Sequence, residues 1–352
     1  MDRALRRAMP IIPGFAGIIN IERGALDPPR LRHATVSPSP HLPRYPVAMP
    51  PRLFVRLFSV AVLAGTLSAQ TTPSPSPLLS PSARPVVSST TITAAFWNIQ
   101  WFPGRRPNAS RTEENRQIRA VHRDLGQLTA DIIGLEEVRD SEHASLAIQP
   151  LSGFKVDVCS NFPPREGQQE AQQIAISSRL QPISAWAEAW KPGGAIMPPR
   201  GFAFASYQVS PGQVLLVYAL HLKSNRGEIH EDMRIREESI HKLISHMKAM
   251  KDTYGKMGAL TWIVGGDFNT APDEPRFAGE KTVPYLLADG FSWAWQGIPF
   301  SSRITMPGDL RYPAAAFDQI FCRGATLARA WVAPTSPQSS DHRAVNVVLN
   351  LH

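Results

Sequence analysis

Nine short segments with strand-like sequences constrain the fold of this chain more than any other feature. They combine β-branched, aromatic and small apolar residues, several alternate apolar with polar positions, and turn-forming residues separate them. The predicted strands cover residues 91–99, 131–138, 154–159, 173–177, 201–209, 213–222, 260–264, 317–322 and 344–351. Many strands with few helices and long loops favour an α/β architecture of two β-sheets packed face to face with helices outside.

Two amphipathic helices are predicted between these strands. The first follows a capping box in which Ser110 caps the helix start and Glu113 hydrogen-bonds back to the cap. The second spans residues 232–250. Their apolar residues recur at helical spacing: Ile118, Val121, Leu125 and Leu128 in the first, and Met233, Ile240, Leu243, Ile244 and Met247 in the second. We interpret both apolar faces as parts of the core.

The N-terminal 91 residues have the composition of a leader and a linker. From Met49, basic residues flank an apolar run at 57–64, and small residues ending at Ala69 follow, which is the order of a secretory signal. The run is too short to anchor the protein in a bilayer. We expect translation to start at Met49, cleavage after Ala69 and export to the periplasm or the extracellular space. A short buried helix is the alternative, but no polar face accompanies the run.

The remaining sequence divides into a linker and one domain. Residues 70–91 are rich in Pro, Ser and Thr and can bury little apolar surface, so they predict an extended linker. Residues 92–352 contain no second low-complexity break and predict a single folded domain. We expect a monomer without an integral membrane segment once the signal is removed.

The net charge of +8 is concentrated outside this domain. Residues 1–69 contain nine Arg and three acids, a surplus of 9 − 3 = +6, whereas residues 70–352 contain 28 basic and 26 acidic residues, a surplus of +2. The high isoelectric point is therefore no argument for a polyanionic partner. Neither Cys159 nor Cys322 has metal-ligand spacing around it, and the two thiols are expected either to form a disulfide after export or to stay free.

The segment WIVGGDFNT, residues 262–270, places polar side chains directly after an apolar strand. Gly265 and Gly266 permit a turn or the close approach of a ligand, and strand alternation predicts that Asp267 and Asn269 face the same side. A carboxylate that orients water or metal and an amide that donates to an oxyanion suit a phosphoryl centre. A polar turn with local hydrogen bonds is the alternative.

Other predicted strands carry similar polar residues at or near their ends. These are Asn98 in WNIQW, Glu136 and Glu137 in GLEEV, His221 in ALHLKSN, Asp318 in FDQIF, and Asp341 and His342 in SDHRAV. A buried amide needs hydrogen-bond partners, and paired acids need a cation or solvent nearby. Each motif alone is explained equally well by capping or core hydrogen bonding. Considered together, the motifs predict one catalytic cleft.

These six motifs, in this order and at these separations, resemble those of the endonuclease/exonuclease/phosphatase superfamily. The superfamily includes deoxyribonucleases, abasic-site endonucleases, sphingomyelinases and inositol polyphosphate phosphatases. The resemblance covers residues 92–352 and implies a four-layered α/β sandwich. It therefore implies a metal-dependent hydrolase of phosphate esters.

The resemblance also implies the positions of metal ligands. Glu137 would hold a divalent cation, with Asn98 and Asp341 beside it. Oxygen ligands of this kind favour Mg²⁺, with Mn²⁺ or Ca²⁺ as alternatives, over Zn²⁺. Glu136 stands where the family usually has Gln, a departure that is expected to add negative charge near the metal.

The catalytic roles follow from the same resemblance. Asp267 would orient the attacking water, and Asn269 and His221 would bind the scissile phosphate. His342 would act as general base or electrostatic partner, positioned by Asp318. Hydrolysis of a phosphodiester needs an in-line water and a group that titrates near neutral pH, and a His–Asp pair supplies such a group.

Basic residues bear on the choice of substrate. Arg200 resembles a family arginine that contacts substrate phosphate, although a surface salt bridge explains it equally well. Six arginines follow the first motif, where a nucleic-acid backbone could bind, and several are also placed to pair with acids in the first helix. They are Arg105, Arg106, Arg111, Arg116, Arg119 and Arg123. Lys223 and Arg226 are the candidates for recognition of a small polyphosphate.

The sequence therefore leaves three substrate classes, with nucleic acid the preferred one. A phospholipid substrate would require exposed aromatic residues, and the segment GFSWAWQGIPF, residues 290–300, either forms such a surface or belongs to the core. A small phosphate ester is the third class. A partner-binding module without catalysis is disfavoured, because every core position of the motifs is filled.

Overall fold

The computed structural model describes residues 91–164, 171–310 and 312–352. The predicted signal, its cleavage site and almost all of the linker lie outside the described residues. Within them, the first strand begins at Thr91, next to the predicted start of the domain.

Twelve strands form two mixed sheets of six strands each within the described part of the chain. The first sheet, in spatial order, consists of β11 (Ala325–Val332), β12 (Val345–Leu351), β1 (Thr91–Phe102), β2 (Ile132–Val138), β4 (Gln173–Ser178) and β3 (Lys155–Cys159). The second consists of β5 (Pro182–Ala189), β6 (Gly201–Ser210), β7 (Gln213–His221), β8 (Ala259–Asp267), β10 (Asp318–Arg323) and β9 (Ser292–Trp293). All nine predicted strands are present.

Within the described ranges, four α-helices cover the outer faces of the two sheets. Helices α1 (Arg111–Leu125) and α2 (Ser141–Ile148) pack on the first sheet, and α3 (Ile229–Tyr254) and α4 (Thr282–Ala288) pack on the second. The order helix, sheet, sheet, helix is the expected four-layered α/β sandwich. The predicted capping box opens α1, since Ser110 and Glu113 bond reciprocally. No helix in the described ranges is long and apolar enough to cross a membrane.

The core between the sheets explains one glycine of the GGDFNT motif. Phe96 of β1 is fully buried between Gly134 of β2 and Gly265 of β8. A Cβ at either glycine would lie 2.4 Å from the Phe96 ring, which is far closer than atoms pack. Gly265 therefore makes room for a core side chain, whereas the sequence had suggested a turn or the close approach of a ligand.

Strand register brings the motif ends to one place. Each sheet contains one parallel pair, β1 with β2 and β7 with β8, and neighbouring parallel strands end at the same edge. His221 pairs with Asp267 across β7 and β8, and Asp318 at the start of antiparallel β10 also pairs with Asp267. In the first sheet, Asn98 pairs with Glu136. The topology thus gathers residues that are far apart in sequence.

The two cysteines lie in different sheets and both are free thiols. Cys159 ends β3 and Cys322 lies in β10, where it is fully buried. Burial raises the pKa of Cys159 to about 12 and that of Cys322 to about 11, which makes both thiols poor nucleophiles. Of the two alternatives left by the sequence, the structure has the free thiols.

Candidate active site

Eight predicted site residues meet in one cluster at the ends of the strands. Five lie in or directly after strands in the interior of the sheets, and three lie at the start of β10 or just before β12. They are Asn98 in β1, Glu137 in β2, His221 in β7, Asp267 in β8, Asn269 after β8, Asp318 in β10, and Asp341 and His342 before β12. Six of the eight line one cavity of about 510 Å³, and Asn98 and Asp318 contact its lining residues.

Glu137 is held by backbone and side-chain donors. Its φ of 61° lies in the left-handed region, which is uncommon for a residue with a side chain and typical of functional sites. Oε2 accepts a hydrogen bond from the Trp101 amide at 3.0 Å, and Oε1 accepts one from Asn98 Nδ2 at 3.2 Å. Burial and the nearby charge of Asp341 raise the pKa of Glu137. The carboxylate is thus oriented in a site with excess negative charge.

Asn98 joins the two sheets at the site. Its Nδ2 donates to Glu137 from the first sheet and to Asp267 Oδ2 from the second, at 3.2 and 3.1 Å. Its Oδ1 accepts from the Gln100 amide at 3.0 Å. Asn98 therefore orients two carboxylates in this arrangement, and its ligation of a metal stays a prediction. The Gln100 side chain donates to Asp341 Oδ2 at 2.9 Å and orients the third acid.

Asp267 and Asn269 reach the cavity through a turn. Strand β8 ends at Asp267, and Asn269 follows with φ 54°, so strand alternation does not explain their shared direction. Asp267 Oδ1 accepts from the Asn269 amide at 2.9 Å, which closes the turn. Asp267 and Asn269 therefore face the same cavity, as predicted, but this turn is the cause and strand alternation is not. Gly266, which precedes Asp267, has a φ of 129°. It lies so close to the carbonyl of Leu220 that a side chain would not fit there.

Burial raises the pKa of Asp267 to about 7. The nearby His342 opposes this shift, and the charge of Asp318 adds to it. A carboxylate that titrates near neutral pH is suited to accept a proton from water. This property is absent from the sequence motif, since an exposed Asp titrates near 4.

His342 and Asp318 form the predicted pair. His342 Nδ1 lies 2.8 Å from Asp318 Oδ2, and Nε2 lies 3.9 Å from Asp267 Oδ2. Burial alone would lower the pKa of His342, but the charges of Asp318 and Asp267 and the hydrogen bond to Asp318 outweigh it and hold the pKa well above its usual range. Ser340 supports the imidazole, because its hydroxyl accepts from the His342 amide at 3.0 Å and donates to the Asn98 carbonyl at 2.6 Å.

His221 and Arg200 contact the site from the second sheet. His221 is 3% exposed, and its Nε2 lies 3.6 Å from carboxylate oxygens of both Glu137 and Asp267. The Arg200 guanidinium donates to the His221 carbonyl at 3.0 Å and to Gln172 Oε1 at 2.9 Å. Arg200 does not line the cavity, so its contact with substrate phosphate stays a prediction. Gln173, the other residue near which the family's site tyrosine was sought, is buried and bonds Ser160 and the backbone of Phe162.

Glu136 points away from Glu137 into the space between the sheets. It is fully buried, and neither carboxyl oxygen has a hydrogen-bond partner among the described residues. Burial, followed by the charge of Asp318, raises its pKa well above the usual range, which favours the neutral acid. A Cβ on Gly266 would lie 2.8 Å from its Oε1. Burial thus opposes the negative charge that was expected at Glu136, and its effect on a metal stays a prediction.

The chemistry of the donors fits a divalent cation. Glu137 and Asp341 both line the cavity, and burial together with the charge of Asp341 raises the pKa of Glu137. Asp267, Asp318 and His342 offer further ligand atoms that lie within 4.8 Å of one another. Uncompensated negative charge beside oxygen ligands is the environment in which Mg²⁺ or Mn²⁺ binds.

A buried ion pair supports two of the site loops and was missed in the sequence. Arg236 of α3 is fully buried and binds both carboxylate oxygens of Glu280 at 2.8 Å. Arg236 also donates to Asn225 and to the Lys223 carbonyl, in the loop after His221. Glu280 accepts from Thr270, next to Asn269. Nothing in the local sequence marks either residue, because the pair forms between distant elements.

The other basic candidates, Lys223 and Arg226, differ in whether they are paired with an acid or exposed in the cavity. Lys223 is paired with buried Asp232, whereas Arg226 is exposed and lines the cavity. Of the six arginines after the first motif, none lines the cavity. Arg106 pairs with Glu113, as anticipated.

The chain matches known proteins in both sequence pattern and fold. The model of the Endonuclease/Exonuclease/phosphatase family matches residues 95–342, more than half of the chain. No significant match among curated proteins was found.

Several solved structures share the fold. An endonuclease/exonuclease/phosphatase from Beutenbergia cavernae is 19% identical with a TM-score of 0.52, over 74% of this chain and 72% of that one. A family protein from Bacteroides thetaiotaomicron is 15% identical with a TM-score of 0.51, over 74% and 95%. D. rerio TDP2 complexed with single-strand DNA product is 16% identical with a TM-score of 0.50, over 74% and 100%. The strand-end constellation, the four-layered fold and the family match together show that this chain belongs to the endonuclease/exonuclease/phosphatase family.

Proposed function

We propose that this protein is an exported, divalent-metal-dependent phosphodiesterase that hydrolyses nucleic acid. The observation that carries the proposal is the convergence of Glu137, Asp341, Asp267 and the His342–Asp318 pair on one open cavity. The DNA product in the structure of D. rerio TDP2 supports nucleic acid as the substrate class.

The side chains divide the work of in-line hydrolysis. Glu137 and Asp341, with Asn98 beside them, would hold the cation. A bound cation would offset the charge of the phosphoryl oxygens. Asp267, with its pKa of about 7, would orient the attacking water and accept its proton.

The remaining polar groups would bind the phosphate. Asn269 and His221 line the cavity on the side of the second sheet, and they would contact the scissile group. The charges that raise the pKa of His342 favour its imidazolium form, which would stabilise developing negative charge. Asp318 fixes the orientation of the ring through the 2.8 Å hydrogen bond.

Two structural observations favour nucleic acid over the alternatives. In the aromatic segment 290–300, Phe291 and Trp295 are buried and Trp293 is half-buried, so Phe300 is its one exposed aromatic side chain, a smaller surface than a lipid substrate would require. Lys223 is paired with Asp232, which leaves one of the two expected cations, Arg226, for a small polyphosphate. A phospholipid or small phosphate ester therefore remains the second candidate.

The test is hydrolysis by the full chain with Mg²⁺ or Mn²⁺, with chelator as control. Single-stranded oligonucleotide, supercoiled plasmid, RNA, sphingomyelin vesicles and an inositol polyphosphate would be compared. We expect chelator-sensitive cleavage of nucleic acid, and we expect Glu137→Gln to abolish it while circular dichroism stays unchanged. Release of phosphocholine or phosphate with intact nucleic acid would reject the nuclease. Undiminished activity of Glu137→Gln would reject the site.

Export is a separate part of the proposal. The basic, apolar and small-residue order before Ala69 supports a cleaved secretory signal. N-terminal sequencing of protein recovered outside the cytoplasm should begin at Gln70, and size-exclusion chromatography should give a monomer. An uncleaved N-terminus on protein retained in the cytoplasm would contradict export.

A further inference from the structure

One loop of the cavity rim is tied directly to the catalytic pair. We call residues 303–310 and 312–317 the rim loop. Met306 pairs with Ala315 through two backbone hydrogen bonds of 2.9 Å, which closes its base. The Thr305 hydroxyl accepts from the Asp318 amide at 3.2 Å, and its carbonyl accepts from the Arg343 amide at 2.7 Å. The base of the rim loop is therefore fixed relative to Asp318 and to the residue after His342.

The tip of the rim loop presents an aromatic ring to solvent. Tyr312 is 62% exposed and lines the cavity that contains His342 and Asn269. Its backbone is fixed by Asp309, whose amide donates to the Tyr312 carbonyl at 2.9 Å and whose Oδ1 accepts from the Tyr312 amide at 2.8 Å. An exposed but positioned aromatic ring beside a reactive site is typical of a ligand contact, because its apolar surface is otherwise left in water.

The surroundings of Tyr312 indicate what the ring contacts. Arg226 and Arg276 line the same cavity. Arg226 is exposed, whereas Arg276 pairs with Glu274 at 2.8 Å and stacks on Phe277 and Phe317 with its guanidinium 4.6 and 4.9 Å from the ring centres. The cavity thus combines cationic groups, an aromatic face and a centre suited to phosphate. This combination matches a nucleotide, in which a charged phosphate and a flat base are joined by a sugar.

The exposed apolar surface is too small for a lipid bilayer. In the described part of the rim loop, Leu310 and Tyr312 are the large apolar side chains that are exposed, and Leu310 does not line the cavity. Membrane-binding surfaces combine a broad apolar face with basic residues. A single ring at the cavity edge is instead sufficient to stack on one base.

We propose that Tyr312 is a specificity residue that stacks on an unpaired base next to the scissile phosphate, so that the preferred substrate is single-stranded nucleic acid. This inference rests on the proposed nuclease function. Bases in a duplex have both faces covered by neighbours, whereas an unpaired base offers a face to an aromatic side chain. The wild-type enzyme should therefore have a higher kcat/KM on a single strand than on the matching duplex.

The test compares Tyr312→Ala with wild-type full-length protein on two substrates of equal backbone charge. One is a single-stranded oligonucleotide, and the other has the same length with every base replaced by an abasic analogue. We expect Tyr312→Ala to raise KM for the normal strand about tenfold or more, from the usual strength of stacking between a base and an aromatic ring. KM for the abasic strand should stay unchanged. Tyr312→Phe should restore wild-type behaviour, because it keeps the ring.

Leu310→Ala is the matched control, since Leu310 lies at the same loop tip but outside the cavity lining. It should leave both substrates unaffected. An equal rise in KM on the abasic strand, or no change on either strand, would overturn the role of Tyr312 while leaving the nuclease intact. Loss of sphingomyelin hydrolysis in both variants, with unchanged cleavage of the normal strand, would instead assign the loop to lipid. Absence of metal-dependent cleavage by wild-type protein would reject the nuclease itself.

Discussion

Replacing Glu280 with Gln should destabilise the protein strongly, although Glu280 lies outside the catalytic cluster. Arg236 is fully buried, and the side chain of Glu280 is 3% exposed. The Glu280 carboxylate accepts two hydrogen bonds from the guanidinium and two from the hydroxyls of Thr270 and Thr282. Glutamine has nearly the same shape, so the change removes the negative charge and one acceptor without creating a cavity.

The expected loss of unfolding free energy follows from the positive charge of Arg236, which stays buried without a counter-charge. Glutamine keeps one oxygen, so one charge-assisted hydrogen bond to Arg236 is lost, at about 1.5–3 kcal/mol. The guanidinium also loses its counter-charge while fully buried. Breaking one side of a buried ion pair typically costs about 3–5 kcal/mol in total, against an unfolding free energy of about 5–15 kcal/mol for a whole domain.

The assay is urea unfolding followed by tryptophan fluorescence and far-ultraviolet circular dichroism. Adding Arg236→Met to Glu280→Gln should recover part of the loss, because it removes the unpaired charge, and the two changes together form a double-mutant cycle. Arg106→Met is the control, since it breaks the exposed pair with Glu113 and should leave the unfolding midpoint unchanged. A loss below about 1 kcal/mol for Glu280→Gln, as at a surface pair, would refute the reasoning.

Three further predictions concern catalysis, packing and pH. Asp318→Asn should lower kcat by about two to four orders of magnitude, because it removes the charge that orients the His342 ring, and a small effect on kcat would contradict the role of the pair. Gly265→Ala should cost about 1–3 kcal/mol in urea unfolding, because its Cβ collides with Phe96, and an unchanged midpoint would contradict this packing. Burial lowers the pKa of His246 below its usual 6.5. As the pH falls, this histidine therefore takes up a proton in the unfolded chain before it does so in the folded protein, and wild-type stability falls below pH 6.5. His246→Phe should show a shallower loss in the same pH range, and identical pH profiles would exclude a contribution from His246.

Interior strands were predictable because their side chains are buried on both faces or alternate cleanly. The strands that escaped prediction were β5, β9 and β11. Strand β11 lies at a sheet edge with a partial alternation of exposed and half-buried positions, and its sequence ATLARAWV contains three alanines, which are weak strand formers. Edge strands are stabilised largely by pairing with a neighbouring strand, and the local sequence carries little information about that pairing. The short helices α2 and α4 also escaped prediction, because 8 and 7 residues are too few for an apolar helical period to be recognised.

The candidate site was largely predictable because motif residues at strand ends converge in a sheet of known connectivity. Glu137 and Glu136 show the limit of this reasoning. Adjacent residues in a strand point to opposite faces, but the sequence does not tell which face meets the cavity. The structure assigns the cavity to Glu137 and the space between the sheets to Glu136, where Gly266 leaves room for it.

The sequence by itself determined nine of the twelve strands in the described residues, the two long helices and the identity of the polar residues at the strand ends, because apolar periodicity and short motifs are local properties. Tertiary structure decided the rest. The pKa of Asp267, the neutral state favoured at Glu136, the Arg236–Glu280 pair and the position of Tyr312 beside the cavity all depend on groups distant in sequence. Burial and Coulomb interaction act through space, so their effects become definite only when the two sheets have packed.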